Sequence, residues 1–225
     1  MHCNGNEVLK TYSMSTILKL KKYLTNKIAN LYNRLGGRNF IKGVSLLRRF
    51  YNFEIHGHGN IIDIRGKLSP KVRIVIYGNK HRLTIEENVV FSKGTIWFED
   101  NGCEIFIGAQ TTIGEAVLSV AEDDRKIIIG TDCMFSKGIK ICTTDSHSII
   151  NLETGERTNK AKDVTIESHV WLGQNVTINK GVEIGQNSIV AGHSVLTKSI
   201  PSNCIAAGVP ARVVKSRVDW LRTRI

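Results

Sequence analysis

From Val164 to Leu196, apolar residues return every six positions. Val164, Val170, Val176 and Val182 open successive hexads, with Ile166, Leu172, Ile178 and Ile184 two places behind them; Gly173 and Gly185 follow two of those aliphatics. Units opened by Ser188 and Ser194, with Val190 and Leu196 behind, extend the series to six. A unit this short cannot bury its own apolar face, so it must stack on its neighbours. The pattern predicts a solenoid of short strands in which three hexads close one triangular coil. Gly and Asn between strands supply turns with unusual backbone angles. The same spacing runs earlier in looser form: Ile127, Cys133 and Ile139 with Ile129, Phe135 and Ile141; Ile105, Thr111 and Val117 with Ile107 and Ile113; Leu83, Val89 and Thr95 with Ile85, Phe91 and Trp97. A sandwich of short strands would instead place its turns at intervals of about eight to twelve residues.

The N-terminal segment follows another period. Ile17, Leu20, Leu24, Ile28, Leu31 and Leu35 recur at three- and four-residue steps, which predicts an amphipathic helix ending near Gly36 and Gly37. Residues 1–50 carry ten Lys or Arg against the single acid Glu7, a net +9 of the chain's +11. Such a helix either lies on an anionic membrane or packs its stripe against the solenoid or another subunit. Nucleic-acid binding is not expected, because no recognised reading motif accompanies the basic residues. The chain thus divides into a basic helical segment (1–53), a solenoid domain (54–214) and a C-terminal helix (215–225), a short helix suggested by Val218-Asp219-Trp220-Leu221.

Composition narrows the setting. With 225 residues and 41% hydrophobic content the chain can hold one substantial core. No stretch approaches the roughly 20 apolar residues of a membrane-spanning helix, and no secretory signal opens the chain, so a cytoplasmic protein is expected, able to touch the inner face of the membrane through residues 1–50. Cys3, Cys103, Cys133, Cys142 and Cys204 are scattered without CxxC spacing, which suggests neither a disulfide framework nor a zinc knuckle; Cys133 reads as core.

The hexads break once, between Cys142 and Asp163. The polar run Thr143-Thr144-Asp145-Ser146-His147-Ser148-Ile149, then Gly155-Glu156-Arg157-Thr158-Asn159, must leave the coil as an extruded loop (143–163), a usual place for chemistry on a rigid scaffold. Three ordered motifs, Asp145-Ser146-His147-Ser148-Ile149, Val170-Trp171-Leu172-Gly173 and Ala207-Gly208-Val209-Pro210-Ala211-Arg212-Val213-Val214, resemble the left-handed parallel β-helix (hexapeptide-repeat) acyltransferases. The likeness is to the branch that O-acetylates lipopolysaccharide, capsule and other surface sugars, and it covers about residues 80–220.

That resemblance implies direct transfer of an acetyl group from acetyl-CoA to a sugar hydroxyl, with His147 as general base. The chemistry agrees: an alcohol needs a neutral imidazole to take its proton as it attacks the thioester, whereas a thiolate leaves without help from a metal or an acyl-enzyme. Asp145 either fixes the imidazole tautomer, binds an acceptor hydroxyl, or caps the loop backbone. Trp171, 24 residues after His147, either lines the acceptor site or packs a corner. By register, Gln174, Gly192, Thr197 and Lys198 would follow the pantetheine, and Arg212 and Lys215 would meet the nucleotide phosphates. The resemblance and the open geometry of one coil imply a homotrimer with sites between subunits. A serine or amino-sugar acyltransferase differs only in acceptor; a non-catalytic scaffold would not need this ordered set. A zinc enzyme of the same fold would need converging histidines, which His169 and His193 on separate turns do not supply, so no metal is expected.

Overall fold

The computed structural model describes residues 39–43 and 53–225. Among these residues the chain winds twenty strands into a three-faced parallel β-helix. The first face is one parallel sheet of β1 (Phe40–Gly43), β3 (Ile61–Ile64), β6 (Arg82–Ile85), β8 (Glu104–Ile107), β10 (Lys126–Ile129), β13 (Val164–Ile166) and β16 (Glu183–Ile184). The second and third faces belong to one sheet folded around a corner, because β7 (Val90–Phe98) and β9 (Thr112–Val120) run along both. Their first halves align with β4 (Lys67–Leu68), β11 (Met134–Phe135), β14 (Trp171–Leu172), β17 (Ile189–Val190) and β19 (Cys204–Gly208), which form the second face. Their second halves align with β2 (Phe53–His56), β5 (Val72–Tyr77), β12 (Ile139–Cys142), β15 (Thr177–Ile178) and β18 (Val195–Leu196), which form the third. A last strand, β20 (Ala211–Ser216), turns back antiparallel on β19.

The core is a set of vertical ladders, one residue per coil. Ile64, Ile85, Ile107, Ile129, Ile166 and Ile184 pair in register down the first face. Phe91, Ile113, Phe135, Leu172 and Val190 do so down the second, and Ile74, Ile96, Leu118, Ile141, Ile178 and Leu196 down the third. All are buried, and each such side chain contributes about 1.5–3 kcal/mol by leaving water. Ser188 and Ser194 also face inward, where their hydroxyls serve the backbone: Ser188 Oγ donates to Pro201 O (2.9 Å), and Ser194 Oγ accepts from Gly208 N (3.1 Å). Cys133 is core, its thiol pushed up to about 11 by burial.

The six-residue count holds from Ile127 onward, apart from the loop, and slips in the coils before that. Ile166 and Ile184 are 18 residues apart, whereas Ile85, Ile107 and Ile129 are 22 apart. The extra residues lie between the third face and the next first face, where Ile96 to Ile107 and Leu118 to Ile129 each take 11 residues, whereas the corner inside β7 and β9 takes only five, Phe91 to Ile96 and Ile113 to Leu118. Gly94 sits there at φ +145, and a Cβ on it would lie 1.8 Å from Ala116 O, so only glycine fits. The slip changes parity, and the inward residues are Ile96, Phe98, Ala116 and Leu118 in place of the anticipated Thr95, Trp97 and Val117.

Two boundaries also move. The segment 215–225 forms no helix: β20 carries the chain to Ser216, and an extended strap follows across the second face. Val218 N donates to Asn203 O there (3.0 Å), and Trp220 is buried against the coil, so tertiary contacts replace the helical bonds that the short Val218–Leu221 pattern suggested. At the other end, Phe40–Gly43 pairs in parallel with Ile61–Ile64, which brings residues from the expected N-terminal segment into the first face. The predicted helix from Ile17 to Leu35 lies outside the described residues.

Candidate active site

The loop leaves the coil between β12 and β13 and is tied at its neck. Thr143 is buried, its hydroxyl donating to Ala121 O (3.0 Å) and accepting from Ala121 N (3.1 Å), while Lys162 N donates to Thr143 O (2.9 Å). Glu122 anchors the next layer: its carboxylate pairs with Arg157 and accepts from Thr144 Oγ1 (2.7 Å) and Ala161 N (3.2 Å). Arg157 above all, with the Thr144 and Ala161 bonds, outweighs partial burial and lowers this carboxyl to about 2.

Asn159 staples the loop to itself. Its Oδ1 accepts from Ile149 N (2.7 Å) and Arg157 Nε (3.2 Å); its Nδ2 donates to His147 O (2.8 Å) and Asp145 Oδ2 (2.8 Å). Lys180, on the next coil, pairs with the same Asp145 oxygen and donates to Asn159 O (2.7 Å). Lys180 first, then Asn159, holds the Asp145 carboxyl below its usual range. Of the roles open to Asp145, bracing the loop is the one its contacts display. The backbone of His147 is thus fixed on both sides, through its N–H to Asp145 O (2.8 Å) and its carbonyl to Asn159, while its ring is exposed.

Trp171 stands elsewhere. It points outward from β14 on the second face, 38% exposed, with Trp220 tilted against it at 6.0 Å between ring centroids. Gln174 and Gly192 stack one coil apart at the corner between the second and third faces: His193 N donates to Gln174 O (2.7 Å), and a Cβ on Gly173 would come within 2.5 Å of Gly192 N. Thr197 and Lys198 are exposed after β18, one coil beyond Lys180 on the corner that carries the loop. Arg212 and Lys215 are exposed on β20. One chain therefore separates the candidate residues into two groups, the candidate half-sites. His147, Asp145, Thr197 and Lys198 share the loop corner, whereas Trp171, Gln174, Gly192, Arg212 and Lys215 lie along or beside the second face.

Asn159, Arg157 and Lys180 had no role assigned from sequence, although they hold the loop together. Only their position in a polar, register-breaking run marked the first two; Lys180 lies 35 residues from Asp145 and carried no local signal.

The family described as "Bacterial transferase hexapeptide (six repeats)" matches residues 163–198. A polysialic acid O-acetyltransferase of Neisseria meningitidis is 39% identical over 156 residues, which is 68% of this chain and 71% of that protein. The chain belongs to the hexapeptide-repeat acyltransferases. A polysialic acid O-acetyltransferase of Escherichia coli O1:K1 is 38% identical over 122 residues, 54% of this acyltransferase, and the match spans 39% of that relative's length. The crystal structure of the polySia specific acetyltransferase NeuO superimposes with a TM-score of 0.72 at 33% identity, covering 83% of this chain and 86% of that one.

Proposed function

We propose that this acyltransferase moves an acetyl group from acetyl-CoA to a hydroxyl of a cell-surface sugar or glycan precursor, with His147 as general base. The observation that carries the reading is an exposed imidazole whose backbone is clamped from both sides in a loop rooted by Glu122, in a chain whose relatives are O-acetyltransferases. The neutral ring takes the acceptor proton as the oxygen attacks the thioester carbonyl. The C–O bond forms, the C–S bond breaks, and the leaving thiolate is protonated by the imidazolium, which restores the base.

Acetyl-CoA, as second substrate, fits the remaining residues. Gly173 and Gly192 keep the corner beside Gln174 free of side-chain bulk, so an extended pantetheine can approach backbone amides. Thr197 and Lys198 would flank it from the loop corner, and Arg212 and Lys215 would meet the phosphates. Trp171 offers an apolar ring face to sugar C–H groups.

The split between half-sites supports a homotrimer in which the loop of one subunit meets the second face of the next. The loop tip suits that contact, with Ile149 59%, Ile150 55% and Leu152 fully exposed. In this reading residues 1–50 position the enzyme, by docking on the trimer or by touching an anionic membrane or polymer, and the reaction is cytoplasmic. A screen of sugar acceptors with acetyl-CoA, read by thiol release and by mass gain of the acceptor, tests the proposal. Thiol release that requires an acceptor and vanishes in His147→Ala supports it. Transfer to serine or to an amino group in preference to every sugar hydroxyl would overturn the acceptor class.

A further inference from the structure

The strap beyond β20 has a use that the transfer chemistry has not absorbed. Trp220 is only 6% exposed. Its indole stacks on the His169 ring (4.2 Å, 8° between planes), donates Nε1–H to His169 O (2.8 Å) and leans on Trp171. Arg222 fastens the end of the strap. Its guanidinium lies 5.7 Å from the Trp220 ring and donates to Asp132 Oδ1 (2.9 Å), Thr112 Oγ1 (3.0 Å) and Cys133 O (3.0 Å).

His169 joins strap to coil, and its two ring nitrogens face only acceptors. Nδ1 is 2.7 Å from Asp132 Oδ2; Nε2 is 2.9 Å from Trp220 O and 3.4 Å from Asp219 Oδ1. Neither a carboxylate nor a carbonyl can donate, so both contacts are hydrogen bonds only when both nitrogens carry protons. A neutral ring would keep one of them.

We propose that the strap from Val218 to Arg222 is a positioning device for Trp171, in which Trp220 fixes the indole for the acceptor and the imidazolium form of His169 latches Trp220 in place. The proposal rests on the reading of Trp171 as an acceptor-site residue. Trp171 belongs to a two-residue strand and is open to solvent on one side, so its ring orientation depends on its neighbours. His169 sits two positions before it at a left-handed corner (φ +57), so the latch holds the backbone entering β14 as well.

Three charged groups face this cluster: Asp132 from the turn before β11, and Asp219 and Arg222 from the strap. Partial burial works against the charged ring, but the Trp220 carbonyl and the Asp132 carboxylate outweigh it and raise the His169 pKa above its ordinary 6.5. A raised pKa means the latch is fully held below the ordinary value and released as pH climbs through the raised one.

The test follows the indole N–H resonances of the ¹⁵N-tryptophan-labelled full chain through a pH titration, with acceptor kinetics alongside. The chain has only three tryptophans, which makes assignment by single replacement practical. The Trp171 signal is expected to shift with the midpoint of the His169 ring, and His169→Asn, which tolerates the left-handed backbone, should abolish that shift. The same variant should raise the acceptor KM roughly tenfold while acetyl-CoA affinity and thermal unfolding stay near wild type. Trp220→Phe, which keeps a ring but loses the Nε1–H bond, should fall between the two. A Trp171 resonance that ignores His169, or an unchanged acceptor KM in His169→Asn, would overturn the strap's role. If Trp171→Ala transferred at the wild-type rate, the acceptor-site reading itself would fall; a damaged Trp171→Ala beside an unaffected His169→Asn would overturn the strap alone.

Discussion

The two half-sites are braced by different kinds of charge. At the loop corner, Glu122 holds Arg157 and Asp145 holds Lys180, and these cations keep both carboxyls below their usual range. On the second face the brace passes through His169, whose pKa, against partial burial, the Trp220 carbonyl and the Asp132 carboxylate raise above its ordinary 6.5. The corner that carries His147 therefore loses its carboxylate braces only in acid, while the end that presents Trp171 stiffens as the pH falls through the raised His169 pKa. Acceptor affinity should therefore rise as the pH falls through the raised His169 pKa, while the loop corner keeps its shape.

The largest break in this comparison comes from removing the base itself. His147→Asn should lower transfer by about 10²- to 10⁴-fold at saturating substrates, with acetyl-CoA binding and trimerisation nearly intact. A loss below about tenfold in single-turnover assays would move the base elsewhere.

Next comes the staple. Asn159→Ala removes the side-chain acceptor for Ile149 N and the donors to His147 O and Asp145, each part-buried bond contributing about 0.5–1.5 kcal/mol. We expect transfer to fall roughly 10- to 100-fold through misplacement of His147. The strands of the coil should keep their amide protection while the loop loses its own, which hydrogen exchange reads directly.

On the second face the effect is smaller and lies in the Michaelis constant. Arg212→Ala and Lys215→Ala should each raise the apparent KM for acetyl-CoA by roughly three- to tenfold, more at low salt, and leave a truncated pantetheine donor almost unaffected. Equal losses with both donors would show that these cations do not meet the phosphates.

The pH contrast itself is sharpened by Glu122. Its folded pKa of about 2 lies below the ordinary 4.5, so the stabilisation is complete above the unfolded value and is lost as pH falls through the interval toward about 2. Loop protection should stay level from pH 5 to 8 and decline only below about pH 4.5, and Glu122→Gln should remove that decline. A loop that loosens near neutrality would contradict the comparison. Least affected is turnover after deletion of residues 1–36: a small soluble acceptor should be acetylated as before, while salt-sensitive binding to anionic vesicles weakens, each basic residue contributing at most about 1 kcal/mol. Loss of transfer in a truncated protein that still trimerises would place that segment in the active site.

The hexad series from Val164 to Leu196 was legible because strict period fixes both coil length and inward parity, and those residues are the ones buried. Before the loop the same count led to Thr95, Trp97 and Val117, and the five-residue step between the second and third faces reversed their facing. His147 and Trp171 were legible as candidates from motif and spacing. Their placement on separate faces was not, since it depends on where the coil turns.

What this sequence determined alone is a repetitive parallel β-solenoid with one polar interruption, because unit length and apolar period are local properties that stacking simply repeats. What the tertiary structure decided is how the interruption is held and where the chain ends. Lys180 and Glu122 reach the loop from positions brought together by coiling, and Trp220 packs on His169 across 51 residues in place of forming a helix. Such contacts carry no period. They are set by which side chains meet once the coils are stacked, and a tail too short to sustain a helix by itself takes the conformation that its burial selects.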